Sequence, residues 1–358
     1  MAERTSVGSI ALTNFTRSVL TNAGMREDNA NIVAEALVYA DLRGVGSHGV
    51  ARLSTYLSRV EHGVMELDPD MVMSRESVSS GVLDARNGFG QVAGTIAMRQ
   101  AVNKAAETGV AAISVAHSNH FGVAGYFAER AAQADAIGIV LTNASPAMSP
   151  HNTSVPLLGT NPIAFGVPSG EHPVVLDMSS SLVARGKIRR AAANGLPIPM
   201  GWAVDAAGQP TTDAAAALRG TLAPIGGAKG AGLSLVIDLL CGVLSETSLT
   251  GEVTNITDTG RPSKTSHLVI ALAIKHFTDV ARFVNDVTTV GRTIRELPAA
   301  DGENVYLPGD IEYDNAMSAT ESGISLPEDV WYDLVKVGKH YDVPPPDLHR
   351  SVPASHDA

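Results

Sequence analysis

Cysteine is almost absent from the chain, because Cys241 is the one cysteine among its 358 residues. A disulfide framework is therefore excluded, and a reducing compartment such as the cytoplasm is expected. The chain also lacks dense clusters of Lys and Arg, and its net charge is −11. Because a phosphate-binding surface needs such clusters, we do not expect a nucleic-acid partner.

Long apolar runs are missing as well, since Gly, Asp or Ser interrupts each of them well short of a membrane span. The first residues, MAERTSVGSI, lack the charged start and apolar core of a signal peptide. We therefore expect a cytoplasmic protein without a membrane partner. The length of 358 residues predicts two or three domains, and the 44% of hydrophobic residues fits globular domains with ample core. We expect the protein to act on a small molecule.

The middle of the chain alternates between strand and helix patterns. It begins with the strand GVLDA at 81–85 and ends with the strand SHLVIALAI at 266–274. This alternation is typical of an α/β sheet with covering helices. Within it, KGAGLSLVIDLLCGVLSE at 229–246 is expected to form a helix that is buried nearly all round.

Helical patterns open and close the chain, so a discontinuous helical domain is expected around the α/β region. Residues 28–43 have apolar residues at helical spacing, with Asp28 as the expected N-cap and Gly44 as the end. The predicted domains are an N-terminal helical part (1–76), an α/β region that binds cofactor and substrate (77–275), C-terminal helices that return to the helical domain (276–340) and a mobile tail (341–358).

The stretch RGVGSHGVAR, residues 43–52, forms a tight turn before a second helix that is expected over about 50–62. If that helix begins near His48, then His48 and Arg52 are four residues apart on one face. Ser47 beside His48 also raises the alternative of a serine hydrolase. The hydrolase elbow needs a glycine where the chain has Val45, and adjacent residues seldom form the nucleophile–base bond, so this alternative is the weaker one.

Two glycine clusters suggest nucleotide binding. GFGQVAG at 88–94 follows a strand and opens a helix, but its third glycine comes one residue too late for a dinucleotide fingerprint. A plain strand-to-helix turn explains it better. GGAKGAG at 226–232 opens an apolar helix, and its backbone N–H groups with Lys229 could hold a phosphate. A flexible loop with a solvated lysine is the alternative.

Polar residues also follow several predicted strands, where ligands collect in open sheets. His120 ends HSNH, and a surface histidine explains it equally well. His117 and His120 are three residues apart, but no HExxH pattern or carboxylate partner supports a metal site. Asp177 ends a strand and could orient a histidine, bind a ribose hydroxyl or cap the next helix. Thr160, with Asn161, forms a polar turn before Pro162.

Five motifs in order, from about residue 30 to residue 330, resemble the malate/L-lactate dehydrogenase family of NAD(P)-dependent oxidoreductases. That family includes ureidoglycolate, sulfolactate and diketogulonate dehydrogenases and Δ1-piperideine-2-carboxylate reductases. The motifs are YADLRGVGSHGVARLSTYLSRVEHG, GTNPIAFGVPSG, LDMSSSLVARGKI, WAVDAAGQPTTD and GGAKGAGLSLVIDLLCGVLSE. The resemblance implies an α/β fold whose cofactor-binding sheet is specific to the family and is not a Rossmann sheet. It also implies a homodimer with an active site between domains.

The resemblance assigns Ser47 and His48 to a catalytic turn, with Asp177 as a third relay member and His120 as an alternative acid/base. Arg52 and Thr160 match contacts to the substrate carboxylate. The implied cofactor contacts are His120, Ala144, Asp177, Met178, Ser179, Lys229, Gly230, Gly309, Asp310 and Ile311. The chain departs from many relatives at Ala273 and Ile274, where they have Asp-Pro, and in the atypical stretch 245–266.

The chemistry of such a reaction explains the opening motif. Hydride moves to carbon while a proton moves to oxygen or nitrogen, and a histidine with its ordinary pKa of about 6.5 suits that proton transfer. Arg52 can hold the substrate carboxylate through two parallel hydrogen bonds. We therefore expect an NAD(P)-dependent dehydrogenase of a small 2-hydroxy or 2-oxo acid, of the malate or lactate type.

Other functions stay open on the sequence alone. Reduction of a cyclic imino acid is the alternative within the family, and a serine hydrolase or a non-catalytic nucleotide-binding protein are alternatives outside it. The choice between NAD and NADP is also open. Arg185, Lys187 and Arg189 are candidates for a 2′-phosphate, although a solvated helix face explains them equally well.

Overall fold

The computed structural model describes residues 4–300 and 303–348. The helices are α1 (Ser9–Asn22), α2 (Glu27–Leu42), α3 (Leu53–Glu61), α4 (Gly90–Thr108), α5 (Ala124–Ala132), α6 (Arg185–Ala193), α7 (Ala214–Arg219), α8 (Ala228–Asp238), α9 (Val280–Arg295), α10 (Asp310–Ser322) and α11 (Glu328–His340). The strands are β1 (Arg4–Val7), β2 (Val72–Glu76), β3 (Ser80–Asp84), β4 (Val110–Ser118), β5 (Ala136–Thr142), β6 (Ile163–Val167), β7 (Val174–Met178), β8 (Ala203–Val204), β9 (Thr221–Leu222), β10 (Thr265–Ala273) and β11 (Ile324–Pro327).

Both ends of the chain contribute to a first compact unit, which comprises the residues up to Ser58 and those from Asp310 onward. Within it, α1 packs against α2. The apolar side of α1, which includes Leu12 and Val19, is buried. Strand β1 pairs antiparallel with β11, so that Val7 lies opposite Ile324. The expected discontinuous helical domain is confirmed by this unit.

The second unit, Arg59–Gly309, is built around a seven-stranded sheet in the order β2-β3-β4-β10-β5-β6-β7. Only β3 and β4 are parallel neighbours, and every other neighbouring pair is antiparallel. The predicted α/β class is confirmed, with a mixed sheet. The strand predicted at the end of the α/β region, β10, lies at the centre of the sheet.

Helices cover both faces of this sheet, as the alternation of β5 illustrates. Gly138 of β5 faces α5, because a Cβ at that position would lie 2.7 Å from the Ala131 side chain. Successive side chains of a strand point to opposite faces. Leu141 accordingly packs on the other face, with Ile237 of α8 and the buried Cys241.

The structure corrects two expectations about the first helices. Gly44 does end α2 in a left-handed conformation, at φ +78°. Asp28, however, is not the N-cap, since Arg26 holds that position and Asp28 lies in the first turn. A carboxylate there still favours the positive end of the helix dipole. The next helix, α3, begins only at Leu53, after two 3-10 turns.

The expectation that α8 is buried all round is wrong. The helix continues as a π-helical turn from Leu239 to Val243, and one side of the combined segment is exposed. The exposed side chains are Leu235, Val236, Leu239, Leu240 and Val243. Their spacing places them on one stripe, while Ile237 and Cys241 face the sheet.

The segments of the predicted domains are distributed over the two units. Helix α9, assigned to the returning helices, lies in the second unit, where Gly170 N–H donates to the Thr288 hydroxyl. Of the predicted tail, residues 349–358 lie outside the described residues, and Leu348 pairs with Val7. No helix within 4–300 or 303–348 is long and apolar enough to cross a bilayer.

Candidate active site

The motif GVGSHGVAR folds as two consecutive 3-10 turns, Gly46–His48 and Val50–Arg52, which are joined at Gly49. Because the backbone of Gly49 is extended (φ −88°, ψ −150°), His48 and Arg52 do not share one α-helix, and that expectation is wrong. Ser47 brings them together instead. Its hydroxyl lies 2.9 Å from His48 Nδ1, and its carbonyl accepts a hydrogen bond of 2.6 Å from Arg52 Nε.

Ser47 and His48 form the direct side-chain contact that adjacent residues seldom make. Both residues belong to one 3-10 turn, Gly46–His48. The segment follows helix α2, so it lacks the strand-to-helix elbow that exposes a hydrolase serine. Ser47 is therefore placed to orient the imidazole.

The pKa of His48 is lowered from its ordinary value to about 4. Loss of hydration around the ring is the main cause, and the positive charge of Arg52 adds to it. The expected pKa near 6.5 is therefore corrected. At neutral pH, His48 is the uncharged imidazole, which accepts a proton rather than donating one.

Asp41, in the last turn of α2, is a residue that the sequence analysis missed. Its Oδ2 accepts a hydrogen bond of 2.7 Å from the backbone N–H of Val50, inside the second 3-10 turn. Burial raises the pKa of Asp41 to about 7, although the Val50 hydrogen bond opposes this rise. The signal was an acid directly before the glycine-rich turn, in ADLRGVGSHG.

In the second unit, one edge of the sheet gathers most of the other predicted residues. Strands β4, β5 and β7 end at this edge, and β6 and β10 begin there, because these neighbours are antiparallel. The loops that leave this edge contain His120, Ala144, Thr160 and Ser179. The mixed sheet thus places these loops along one edge, and their role in binding a ligand stays a prediction.

His120 is half-buried and lies two residues beyond β4. Its Nδ1 accepts a hydrogen bond of 3.3 Å from Gly122 N–H. His117 does not join it, since His117 Nδ1 lies 3.0 Å from Asp84 Oδ1. Within the described ranges, no group of three His, Cys, Asp or Glu side chains could hold a metal.

The loop GFGQVAG does not present an open helix N-terminus to a pyrophosphate. Gly90, the first residue of α4, packs against the backbone of the HSNH segment. A Cβ at Gly90 would lie only 2.2 Å from the Asn119 carbonyl oxygen. This packing supports a plain strand-to-helix turn.

Asp177 caps a helix, but not the one that follows it. Its Oδ2 accepts a hydrogen bond of 2.7 Å from Gly125 N–H at the start of α5, whereas α6 begins at Arg185 after an Ala184 N-cap. Gly309 lies beside the same strand, because a Cβ there would be 3.0 Å from the Val175 carbonyl oxygen. Asp310, which is buried, and the exposed Ile311 belong to the first unit.

Backbone hydrogen bonds connect the loop after β7 with both Thr160 and the Lys229 loop. Ser180 donates to the Thr160 carbonyl from its N–H and from its hydroxyl, each at 2.9 Å. The Ser180 carbonyl accepts from Ile225 N–H at 3.0 Å, and the Ile225 carbonyl accepts from Gly230 N–H at 2.8 Å. Met178 and Ser179 thus stand beside the start of α8.

Asn161 connects the Ala144 loop to the same helix and is fully buried. Its Oδ1 accepts from Ala144 N–H, and its Nδ2 donates to the Ser234 carbonyl of α8, both at 2.8 Å. The Ser234 hydroxyl donates to Gly159 O at 2.9 Å. One buried amide therefore fixes three segments around the predicted cofactor residues.

The Lys229 loop has the features of an anion site. Gly226 and Gly227 both have left-handed backbones, at φ +57° and +63°, which side-chain-bearing residues rarely adopt. Lys229 is exposed in the first turn of α8. The N–H groups of Lys229, Gly230 and Ala231 donate to carbonyls of the loop itself, so the exposed ammonium of Lys229 is the group here that suits a phosphate of a dinucleotide.

His267, at the start of β10, is a second residue that the sequence analysis missed. It is fully buried, with Nδ1 2.7 Å from the Thr142 hydroxyl and Nε2 2.8 Å from the Ser118 hydroxyl. Phe121, next to His120, stacks on its ring with centroids 4.3 Å apart. Burial lowers the pKa of His267 to about 3, so the ring is neutral. A histidine within an apolar strand pattern gave no signal that its ring would contact the hydroxyls of Thr142 and Ser118.

Comparison with known proteins agrees with this geometry. The sequence profile of the malate/L-lactate dehydrogenase family matches residues 8–335. The chain is 34% identical to the NAD(+)-dependent ureidoglycolate dehydrogenase of Escherichia coli K12 over 328 residues, which cover 88% of this chain and 91% of the relative. It is 36% identical to the NADP(+)-dependent (2R)-3-sulfolactate dehydrogenase of Chromohalobacter salexigens over 321 residues, which cover 88% and 93%.

The fold is also similar to that of a solved structure. The sulfolactate dehydrogenase from Methanocaldococcus jannaschii superimposes with a TM-score of 0.90 at 34% sequence identity, over 95% of this chain and 98% of that one. The similarity therefore extends over nearly the whole length of both proteins. The chain belongs to the malate/L-lactate dehydrogenase family, the NAD- or NADP-dependent dehydrogenases of hydroxy acids.

Proposed function

We propose that the protein transfers hydride between the nicotinamide of NAD or NADP and C2 of a small 2-hydroxy or 2-oxo acid of the malate or lactate type. His48 exchanges the hydroxyl proton, and Arg52 binds the substrate carboxylate. The observation that carries the proposal is the arrangement around Ser47, which holds the imidazole and the guanidinium through one residue.

This arrangement supplies the two groups that the reaction needs on the substrate. Oxidation of the alcohol needs a base at the hydroxyl, and His48 is neutral at physiological pH because its pKa lies near 4. Ser47 contacts Nδ1, so we assign Nε2 to the substrate hydroxyl. When Nδ1 carries the proton, Nδ1–H donates a hydrogen bond to the Ser47 hydroxyl oxygen, and Nε2 keeps the lone pair that would take the substrate proton.

In the direction of reduction, His48 must carry the proton that the new hydroxyl receives. Burial is the larger cause of the low pKa of His48, and the Arg52 charge is the second. A substrate carboxylate on Arg52 would compensate that charge and raise the pKa of the imidazole. Substrate binding thus favours the protonated form that the reduction requires, and the same pair serves both directions.

The cofactor is assigned to the loops at the sheet edge. Lys229 and Gly230, with the glycines before them, would hold the phosphates, while Asp177, Met178, Ser179 and Ala144 would line the dinucleotide. When bound, the cofactor supplies or accepts the hydride. The hydrogen bond from Gly125 N–H to Asp177 and the buried Asn161 amide keep these loops in fixed positions.

Nicotinamide absorbance provides the test. The purified protein is scanned with NAD and NADP against 2-hydroxy acids, and with NADH and NADPH against 2-oxo acids and cyclic imino acids. We expect turnover with at least one 2-hydroxy or 2-oxo acid. Turnover with imino acids alone would replace the alcohol chemistry by imine reduction. Cofactor binding without turnover in every arm would contradict the proposed activity.

A further inference from the structure

The carboxyl group of Asp41 lies under the junction between the two 3-10 turns. Its Oδ2 accepts a hydrogen bond of 2.7 Å from Val50 N–H, the first amide after the junction. Asp41 itself belongs to α2, a 16-residue helix whose buried residues anchor it in the first unit. The carboxyl group therefore connects a rigid element to the backbone between His48 and Arg52.

Gly49 shows that the fit around this carboxyl group is close. A Cβ at Gly49 would lie 2.1 Å from Asp41 Oδ1 and 2.2 Å from Oδ2, which no real Cβ tolerates. The extended backbone of Gly49 (φ −88°, ψ −150°) is open to other residues. The glycine is therefore needed for the space that the carboxyl group fills, and not for its backbone freedom.

The position of the junction determines how the two proposed functional side chains stand. His48 precedes Gly49 directly, and Arg52 N–H donates to the Gly49 carbonyl at 2.9 Å. A shift of Gly49 would therefore move the imidazole and the guanidinium relative to one another. Misplacement of reacting groups by 1 Å can lower a rate by about a hundredfold.

The burial of Asp41 is compatible with a neutral group that serves as an acceptor. Val50 N–H is the hydrogen-bond donor that the structure gives it, and its pKa is raised to about 7 by burial. A protonated carboxyl group still accepts from an amide through its carbonyl oxygen. Asparagine has the same shape and offers the same acceptor without a charge.

We propose that Asp41 is a positioning residue whose half-buried carboxyl group holds Gly49 and Val50 in place and thereby fixes His48 relative to Arg52. The proposal deepens the proposed function, on which it rests for the roles of those two side chains. The hydrogen bond between Asp41 and Val50 can be measured without turnover. The failure of one proposal can therefore be told from the failure of the other.

Kinetics of three variants test the consequence for the reaction. Asp41→Ala should lower kcat by up to about a hundredfold and raise KM for the acid, with the cofactor Kd unchanged. Asp41→Asn keeps the acceptor and should remain within about threefold of the parent. Asp28→Ala removes a carboxylate from the exposed start of the same helix and serves as the control.

Gly49→Ala completes a double-mutant cycle with Asp41→Ala. Alone, the alanine methyl collides with the carboxyl group, so its loss of kcat should resemble that of Asp41→Ala. In the double variant, the methyl fills the space that the carboxyl group leaves, so the two losses should not multiply. Losses that multiply, or an Asp41→Asn variant as poor as Asp41→Ala, would overturn the proposal.

Hydrogen exchange of backbone amides measures the contact between Asp41 and Val50 directly. In Asp41→Ala, the Val50 amide should lose its protection, whereas Asp41→Asn should keep it and the Leu37 amide in the middle of α2 should not change. Unchanged protection of the Val50 amide in Asp41→Ala would overturn the claim that Asp41 holds Val50 in place. If the parent enzyme turns over no acid, the proposed function fails. Amide exchange still decides whether Asp41 holds the 3-10 turn Val50–Arg52 in place.

Discussion

Arg52 contributes more to the turn than a positive charge. Its Nε donates to the Ser47 carbonyl, so the guanidinium plane is fixed by the backbone next to His48. A planar fork held in this way can meet a carboxylate with two parallel hydrogen bonds, which a lysine ammonium cannot do while keeping the contact to Ser47.

Arg52→Lys should therefore lower kcat/KM for the acid by roughly 10- to 100-fold, the effect of losing a charge-assisted hydrogen bond of about 1.5–3 kcal/mol. Steady-state kinetics with the acid substrate check this. Arg26→Lys, at the exposed start of α2, is the matched control. If Arg52→Lys reduced the acid as well as the parent does, the carboxylate would be bound elsewhere.

At this scale the sequence revealed residues whose chemistry is visible in a motif, and missed those that act through packing. Ser47, His48 and Arg52 stand together in GVGSHGVAR, so their pattern predicts a proton donor and a carboxylate ligand. Asp41 depends on a contact with Val50 nine residues later, and His267 on contacts with strands more than 120 residues away. Neither contact leaves a periodic or spacing signal in the sequence.

Helix α8 begins at the loop that we assign to the cofactor phosphates. Lys229→Ala should raise the cofactor Kd about tenfold, as expected when one charged phosphate contact is lost, and should leave the fold intact. Titration calorimetry measures the affinity, and circular dichroism checks the fold. Lys275→Ala, an exposed lysine after the far end of β10, is the control. Unchanged cofactor affinity in Lys229→Ala would remove this loop from the site.

Strand β10 carries the buried neutral His267 between the ends of β4 and β5. Because its folded pKa is about 3 and its unfolded pKa about 6.5, the unfolded state binds more protons between these values. Stability must then fall as pH falls through this window, by up to about 1.4 kcal/mol per pH unit from this one group.

Chemical denaturation of the parent and of His267→Asn, from pH 7 to pH 4, measures this effect. We expect the variant to be less stable at pH 7, because it loses one of the two hydroxyl contacts, but to depend less on pH. His48 titrates in both proteins, so its contribution cancels in the comparison. If the free energy of unfolding changed with pH equally in the parent and the variant, His267 would not be the group responsible for the pH dependence.

The sequence predicted the type of most elements but not how they pair. Short runs of mostly apolar residues identified four of the strands, namely β3, β4, β5 and β10. Their order and direction depend on contacts far apart in sequence. The exposed stripe of α8 was missed for a similar reason, because an apolar helix face looks the same in sequence whether it meets a core or a surface.

At the scale of the whole molecule, the exposed apolar stripe defined by Leu235, Val236, Leu239, Leu240 and Val243 supports the homodimer that the family resemblance implied. Contiguous apolar surface of this kind is typical of protein interfaces. A second copy of the chain could cover it with an identical stripe.

Light scattering after size-exclusion chromatography should therefore find a dimer for the parent and a monomer, or a weaker dimer, for Leu239→Glu with Val243→Glu. Leu196→Glu, at another exposed apolar residue, should stay dimeric. A monomeric parent, or a dimer that tolerates both charges on the stripe, would show that this face is not the dimer contact.

The division into two units was partly visible in the sequence, since helical patterns flank the α/β region. The structure joins the two ends through β1 and β11, whose residues Arg4 and Pro327 are partners. Strands of four residues carry too few side chains for a period, so their pairing could not be predicted.

The central claim is that His48 exchanges the substrate proton, and the comparison of His48→Ala with His120→Ala tests it most directly. We expect His48→Ala to lower kcat by roughly a hundred- to ten-thousandfold with little change in cofactor affinity. For oxidation by the parent at saturating acid, kcat should fall as pH falls through the pKa of His48, which the bound carboxylate raises above its value of about 4, and this acid limb should vanish in His48→Ala. His120→Ala should keep the limb. If His48→Ala keeps most of its turnover and the limb while His120→Ala loses both, the assignment is wrong.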